Sequence, residues 1–341
     1  LKEYGNASQP YSFARSAKKA LAAARKTIAD CIGAQPEEIF FTSGGTESDN
    51  WAIKGTLQYG DGRAILTSQI EHHAILNACA SVERLGYPVV YLSVDQKGVL
   101  TPATLNKFIT GNTKLVSVML VNNEIGTIEP IKELAEIAHI HGAFFHTDAV
   151  QAVGHIPVNV TVLGIDMLSA SAHKFNGPKG VGFLYIHSLV DGGAQEFGMR
   201  AGTENIAAIV AMAEALRKNC AHMDETESRL CKMENSFIHA LNKAGIDFIR
   251  NGADNHLPGN ISISIKNASG EMLLHRLDLK GICISTGSAC DSVNTQVSHV
   301  IQAISVPEDY AAGTIRISFG RNNHESDAQD IADAIVSILK N

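Results

Sequence analysis

Apolar residues recur along this chain in two alternating rhythms. "EEIFF" (37–41), "RAILTS" (63–68), "YPVVYLSVD" (87–95), "KLVSVMLVNN" (114–123), "AFFHTDAVQ" (143–151), "DMLSAS" (166–171) and "GVGFLYI" (180–186) are short apolar runs, each predicting a strand. Between them lie segments with helical spacing: "TESDNWAIKGTL", "HHAILNACASVERLG", "TPATLNKFIT" and "PIKELAEIAHIHG". Thr101 reads as an N-cap with Pro102 at the first helical position, and Gly142 as a stop. Strands alternating with helices predict βαβ units and a mostly parallel sheet. From about Asn205 to Ala244 the pattern is helical and more polar. After it come "ISISIK", "EMLLHRLDLKG", "ICIST", "TIRISFG" and a closing helix, "ESDAQDIADAIVSILK". That second part reads as a smaller α+β unit, and the boundary falls near Ala221, giving domains 1–221 and 222–341.

Composition narrows the function classes. The chain has 341 residues, 45% hydrophobic and 18% charged, with a formal net charge of −7. This is a globular composition with room for two domains, and the charge argues against a nucleic-acid surface. No apolar run approaches the roughly 20 residues that span a bilayer. The chain opens on Leu1 with no signal-peptide pattern. Six cysteines occur without a C-x-x-C pair, so neither a zinc cage nor any other metal site is expected, and a reducing, cytoplasmic setting is.

The chemistry collects at the strand ends, where open α/β sheets bind ligands. Those ends hold "TSGGTE", "QIEHH", "VNNEIG", "HTDAVQ" and "SASAHK". A Gly-Gly-Thr turn entering a helix is by itself common, although glycines there let N–H groups approach a phosphate. In company with an amine, a carboxylate and a flat ring it describes the needs of pyridoxal phosphate: a phosphate cradle, a lysine for a Schiff base, an acidic partner for the pyridine nitrogen, and a group for the ring face. Lys174 supplies the amine, Asp148 the carboxylate, and His72 is the candidate for the ring face.

Taken singly, each has a plainer reading. Lys174 is then a surface lysine after a strand, Asp148 a helix N-cap, His72 or His73 a helix-start histidine, Arg316 a snorkelling side chain and Cys290 a small hydrophobe. The small polar residues around Cys290 argue against a core position for it. Cys31, Cys79, Cys220, Cys231 and Cys283 fall in helical or strand patterns and are expected to be structural.

The chain resembles the cysteine desulfurases of the NifS/IscS type, within the fold-type I pyridoxal-phosphate enzymes of the class-V aminotransferase family. "GNASQPYSFARSAKKALAAAR", "FTSGGTES", "EHHAI", "VNNEIG", "FHTDAVQAVG", "SASAHKFNGPKG", "GGAQEFGMRAGTEN", "STGSACDS" and "IRISFGR" carry the resemblance, in family order over nearly the whole chain. It implies a large domain with a mostly parallel seven-stranded sheet and a smaller α+β C-terminal domain carrying the cysteine loop. It implies that Gly45, Thr46, Ser171 and His173 hold the phosphate, and that Thr203 reaches the cofactor of a second subunit in a homodimer. Asp148 would hold the pyridine nitrogen protonated, Gln151 the ring hydroxyl, and His72 would stack. Asn123 would face the cofactor and the substrate carboxylate, on which Arg316 forks.

The implied reaction removes sulfur from L-cysteine, giving L-alanine and a persulfide on Cys290 for an acceptor protein such as an iron–sulfur scaffold or sulfur carrier. A selenocysteine lyase or an aminotransferase of the same fold would share Lys174 and Asp148, and a non-catalytic scaffold would need neither. The chain starts after the segment with which the family opens, and the connection between 186 and 192 is shorter than the family's.

Overall fold

The structure is a computed structural model that describes residues 5–7, 9, 11–57, 62–187, 200, 202–287 and 297–340. The chain divides into two compact units, one of Leu1–Leu92, Pro102–Leu120 and Glu129–Met223, the other of Ser93–Thr101, Val121–Ile128 and Asp224–Asn341. A single cut at Ala221 assigns 93–101 and 121–128 to the first unit; their contacts belong to the second.

The first unit opens with α1 (Arg15–Ile32), which ends at Gly33 in the left-handed region. Then follow β1 (Ile39–Thr42), α2 (Gly45–Gly55), β2 (Ala64–Ser68), α3 (His73–Glu83), β3 (Val89–Leu92), α4 (Pro102–Phe108), β4 (Thr113–Ser117), α5 (Ile131–Ile140), β5 (Phe144–Asp148), α6 (Val160–Leu163), β6 (Met167–Ser171), β7 (Gly182–Ile186) and α7 (Ile206–Ala221). The strands form one sheet in the order β1-β7-β6-β5-β4-β2-β3. β7 alone runs against the rest, antiparallel to both β1 and β6. The other neighbours are parallel. Parallel strands buried on both faces need apolar side chains on both, which is why β4 and β6 are buried at every position. One core packs Phe40, Ile65, Leu115 and Leu184 of the sheet against Ile53 of α2 and Ile75 and Val82 of α3.

In the second unit α8 (Met223–Lys243) is followed by β8 (Phe248–Arg250), β9 (Asn260–Ile265), α9 (Gly270–Asp278), α10 (His299–Ala303), α11 (Glu308–Ala311), β10 (Thr314–Ser318) and α12 (Glu325–Lys340). Its sheet is antiparallel, in the order β10-β9-β8. Leu230, Met233, Phe237 and Leu241 recur at three- and four-residue spacing on α8, and this stripe buries against Ile261, Ile263 and Ile315 of the sheet and Ala332 and Ile335 of α12. At roughly 2 kcal/mol for each fully buried large side chain, this packing holds the unit together.

The run "ICIST" does not form a strand. Only Ser285 makes a bridge, to Arg316. Ile282 and Ile284 pack on the core while Cys283 between them is exposed. β8, which the sequence reading missed, is short and only partly buried.

Candidate active site

β1, β2, β4, β5 and β6 all end at the same edge of the first unit's sheet, and the chemistry gathers there. After β1, Gly44 takes φ 149° and α2 begins at Gly45. The first bond within α2 runs from the Ser48 N–H to the Gly44 carbonyl, so the N–H groups of its first turn have no carbonyl of their own helix. Both glycines are needed for close approach. A Cβ on Gly45 would stand 2.7 Å from Cγ2 of Val150. A Cβ on Gly44 would meet Oγ of Ser171 at 3.4 Å, so Ser171 lies against the turn. Ser171 Oγ in turn lies 2.9 Å from Nδ1 of His173. Gly182 on β7 is registered with Thr42 on one side and Ser171 on the other. A Cβ there would come within 2.7 Å of the Gly44 Cα and 2.4 Å of the Ala170 carbonyl oxygen. Behind the turn, Glu47 accepts from the Ser43 N–H and from Arg200.

Lys174 sits in a 3-10 turn, Ala172–Phe175, that follows β6 and is ended by Asn176 in the left-handed region. Its side chain is exposed. The backbone is pinned by His155, whose Nε2 donates to the Lys174 carbonyl oxygen at 2.8 Å; burial lowers the pKa of His155, which keeps the ring neutral.

Asp148 is buried at the end of β5, and its Oδ1 accepts the Val150 N–H at 2.9 Å. Burial raises its pKa to about 6, while the Val150 N–H and the Lys174 ammonium favour the anion. Gln151, three residues on, is partly buried.

Two further buried carboxyls lie within electrostatic reach of Asp148. Asp49 faces inward from α2, one turn beyond Gly45. Burial, and after it the charge of Asp148, raises its pKa well above the usual carboxylate value, and its Oδ1 has no hydrogen-bond partner. Glu71 is wholly buried between β2 and α3. It receives the Ser68 hydroxyl at 2.6 Å and the Met119 N–H at 3.0 Å, and burial raises it to about 8. The next residue, His72, is the N-cap of α3, with Nδ1 accepting the Ala74 N–H at 3.1 Å. His146 lies two residues before Asp148, between Ser117 at 2.9 Å and Ser169 at 3.0 Å, and burial holds it neutral with a pKa near 3. Sequence reasoning assigned no role to Asp49, Glu71, His146 or His155. Polar residues inside the apolar strand and helix patterns are the signal that marks Asp49 and His146; Glu71 stands in the strand-end run "QIEHH".

The second unit gathers its own set. Arg316 on β10 donates from Nη1 to the Asn123 carbonyl oxygen at 2.8 Å and from Nη2 to Ser285 Oγ at 3.2 Å. Its Nε is buried with no partner, and burial lowers its pKa against the pull of Glu124. A guanidinium held by two edges with an orphaned Nε suits a carboxylate ligand. Asn122 orders the turn by accepting the N–H groups of Glu124 and Ile125.

Thr203 is exposed. Cys290 lies outside the described residues. Among the described residues no cluster of His, Cys, Asp or Glu could hold a metal ion, and no helix is long and apolar enough to cross a membrane.

Residues 1–331 match the family model described as Aminotransferase class-V. The chain is 47% identical over 350 residues to cysteine desulfurase IscS of Dictyoglomus turgidum, covering 100% of this chain and 89% of that one. Against cysteine desulfurase IscS of Methanosarcina thermophila the identity is 44% over 345 residues, with coverage of 99% and 85%. Among solved structures, a NifS-like protein superposes with a TM-score of 0.91 at 35% identity, over 99% of this chain and 92% of that one. SspA in complex with cysteine gives a TM-score of 0.80, also at 35% identity, over 93% and 91%.

Proposed function

Because the chain belongs to the class-V aminotransferase family and is a pyridoxal-phosphate-dependent cysteine desulfurase of the NifS/IscS type, we propose that Lys174, Asp148, His72 and Cys290 carry its reaction. The observation that carries this reading is a buried Asp148 within electrostatic reach of Lys174, at the sheet edge where the glycine turn opens α2.

The residues of the first unit fit the cofactor. The glycine turn brings backbone without side chains up to Val150 and Ser171, the first-turn N–H groups of Gly45 and Thr46 have no carbonyl within their own helix, and Ser171 and His173 lie alongside. When bound, pyridoxal phosphate supplies an electron-withdrawing ring that eases loss of the substrate's α-proton. Asp148, as the anion, would hold a proton on the ring nitrogen, Gln151 would bond the ring hydroxyl and His72 would lie against the ring. Lys174 Nζ takes the proton from the substrate Cα and returns one. Arg316 and Asn123 orient the substrate carboxylate. Cys290 receives the sulfur as a thiolate, so that L-cysteine and one thiol become L-alanine and a persulfide on Cys290. That sulfur passes to an acceptor protein, an iron–sulfur scaffold or sulfur carrier. The IscS names of the relatives support this reading. The exposure of Thr203 supports a homodimer in which it serves the partner's cofactor. The five free cysteines among the described residues support a cytoplasmic enzyme.

Cys290→Ser separates the two halves of the reaction. With L-cysteine, the variant is expected to perturb the cofactor's absorption as the parent does, yet to form no persulfide and release almost no alanine. Alanine release at the parent rate would refute the assignment.

A further inference from the structure

α1 and α7 pack side by side. Cys31 is the next-to-last residue of α1 and Cys220 the next-to-last of α7, so the two C-terminal turns bring the thiols together. The two thiols lie within interaction distance of each other. Both are partly exposed, unlike Cys79, which is buried in the core and pushed up to about 12 by that burial. Both helix ends are ordered. Gly33 closes α1 with its N–H on the Ala29 carbonyl, and His222 closes α7 with its N–H on the Asn219 carbonyl. Two interacting thiols on the capped ends of packed helices are placed for a bond between them.

We propose that Cys31 and Cys220 are a redox-reversible dithiol, which a small disulfide oxidises to a bond linking α1 to α7. The roles within the pair are unequal. Cys31 acts as the S–H donor, and its hydrogen bond to Cys220 and then its burial raise its pKa; the same bond lowers that of Cys220. Arg217, one turn before Cys220, adds positive charge beside the pair. Cys220, as thiolate, attacks one sulfur of the small disulfide RSSR. A mixed disulfide Cys220–S–S–R forms and RS⁻ leaves. Cys31 gives its proton to that RS⁻, attacks the Cys220 sulfur and expels a second RS⁻, which takes a proton from water. The two cysteines are oxidised and RSSR is reduced to two thiols. The bond sits next to Asn219, whose side chain accepts from Asn176 at the end of the Lys174 turn and lies under Gly154.

The test exposes the reduced holoenzyme to mixtures of oxidised and reduced glutathione, followed by acid quench, alkylation and non-reducing peptide mapping. The expected result is the loss of two alkylatable thiols, a linked Cys31–Cys220 peptide that dithiothreitol reverses, and a rise in Tm of about 5 °C. In Cys31→Ser the resolving thiol is gone, so Cys220 is expected to retain glutathione; in Cys220→Ser, Cys31 is expected to stay unmodified over the same time. A parent protein in which Cys31 and Cys220 both remain alkylatable overturns the proposal. So does a linked peptide joining either to another cysteine, or a Cys31 that reacts in Cys220→Ser as fast as Cys220 does in Cys31→Ser.

Discussion

Asp148, Asp49 and Glu71 are three buried carboxyls within mutual electrostatic reach, and Asp148 has the Lys174 cation to face. Like charges in a low-dielectric site do not all ionise. Lys174 and the Val150 N–H favour the charge on Asp148, so Asp49 and Glu71 hold protons. Two predictions follow at this scale. Asp148→Asn keeps the shape and removes the anion; turnover is expected to fall by about 100-fold or more, with a much smaller loss of cofactor affinity. Steady-state rates and cofactor titration measure the two separately, and near-normal turnover would remove Asp148 from its role. Glu71→Gln tests the proton. Between the ordinary carboxyl value of 4.5 and about 8, the folded state keeps a proton on Glu71 that the unfolded state has lost. Stability from this group is therefore present below 4.5 and lost as pH rises towards 8. Glutamine does not titrate, so Tm of Glu71→Gln is expected to decline less than that of the parent across this window. Parallel Tm curves would mean that Glu71 is already ionised.

Among the elements, β7 matters most to the site, because it stands between β1 and β6 and sets the distance between the glycine turn and Ser171. Gly182→Ala would push a methyl into two backbones. The expected cost is about 3 kcal/mol of stability, with weakened cofactor binding, read by thermal unfolding and cofactor titration. A variant as stable and as tightly loaded as the parent would show that the sheet yields there. Every strand of this sheet was legible as an apolar run, and in β4 and β6 burial at every position demands one. The direction of β7 was not, because an apolar run reads the same either way. "KLVSVMLVNN" was read as one strand, but β4 stops at Ser117 and the next residues bond to the β5 carbonyls of His146 and Asp148. "ICIST" misled for a different reason. Its two isoleucines do turn to the core, but alternation reports which face is buried and says nothing of whether a ladder partner exists. Cys283 is exposed as a result, so its expected inertness rests on no burial.

For the whole molecule, the candidate residues of the first sheet could be picked out because they follow strand ends in order, while the division into units could not. A boundary drawn along the sequence cannot see that 121–128 finds partners more than a hundred residues away, or that 93–101 joins the same unit. The homodimer is tested by subunit exchange. Lys174→Ala and Thr203→Val homodimers are each expected to be nearly inactive. If Thr203 serves the partner's cofactor, their mixed dimer has one site with both residues intact, and exchange restores about a quarter of the parent activity. No recovery after verified exchange would place Thr203 in the site of its own subunit.

The interleaving of the two units also bears on how the chain is made. Gly126 and Ile128 exchange backbone hydrogen bonds with Leu257 and Asn255, and Thr127 bridges to His256. At about 5–20 residues per second, the ribosome delivers these partners on the order of ten seconds after the strip that needs them. For that interval the growing chain holds an unfinished strip between β4 and α5, in which the Gly126 carbonyl and the Ile128 N–H have only water or a chaperone to meet them. A chain halted after Met223 would keep that strip open indefinitely, and limited proteolysis of such a fragment should cut first within 121–128.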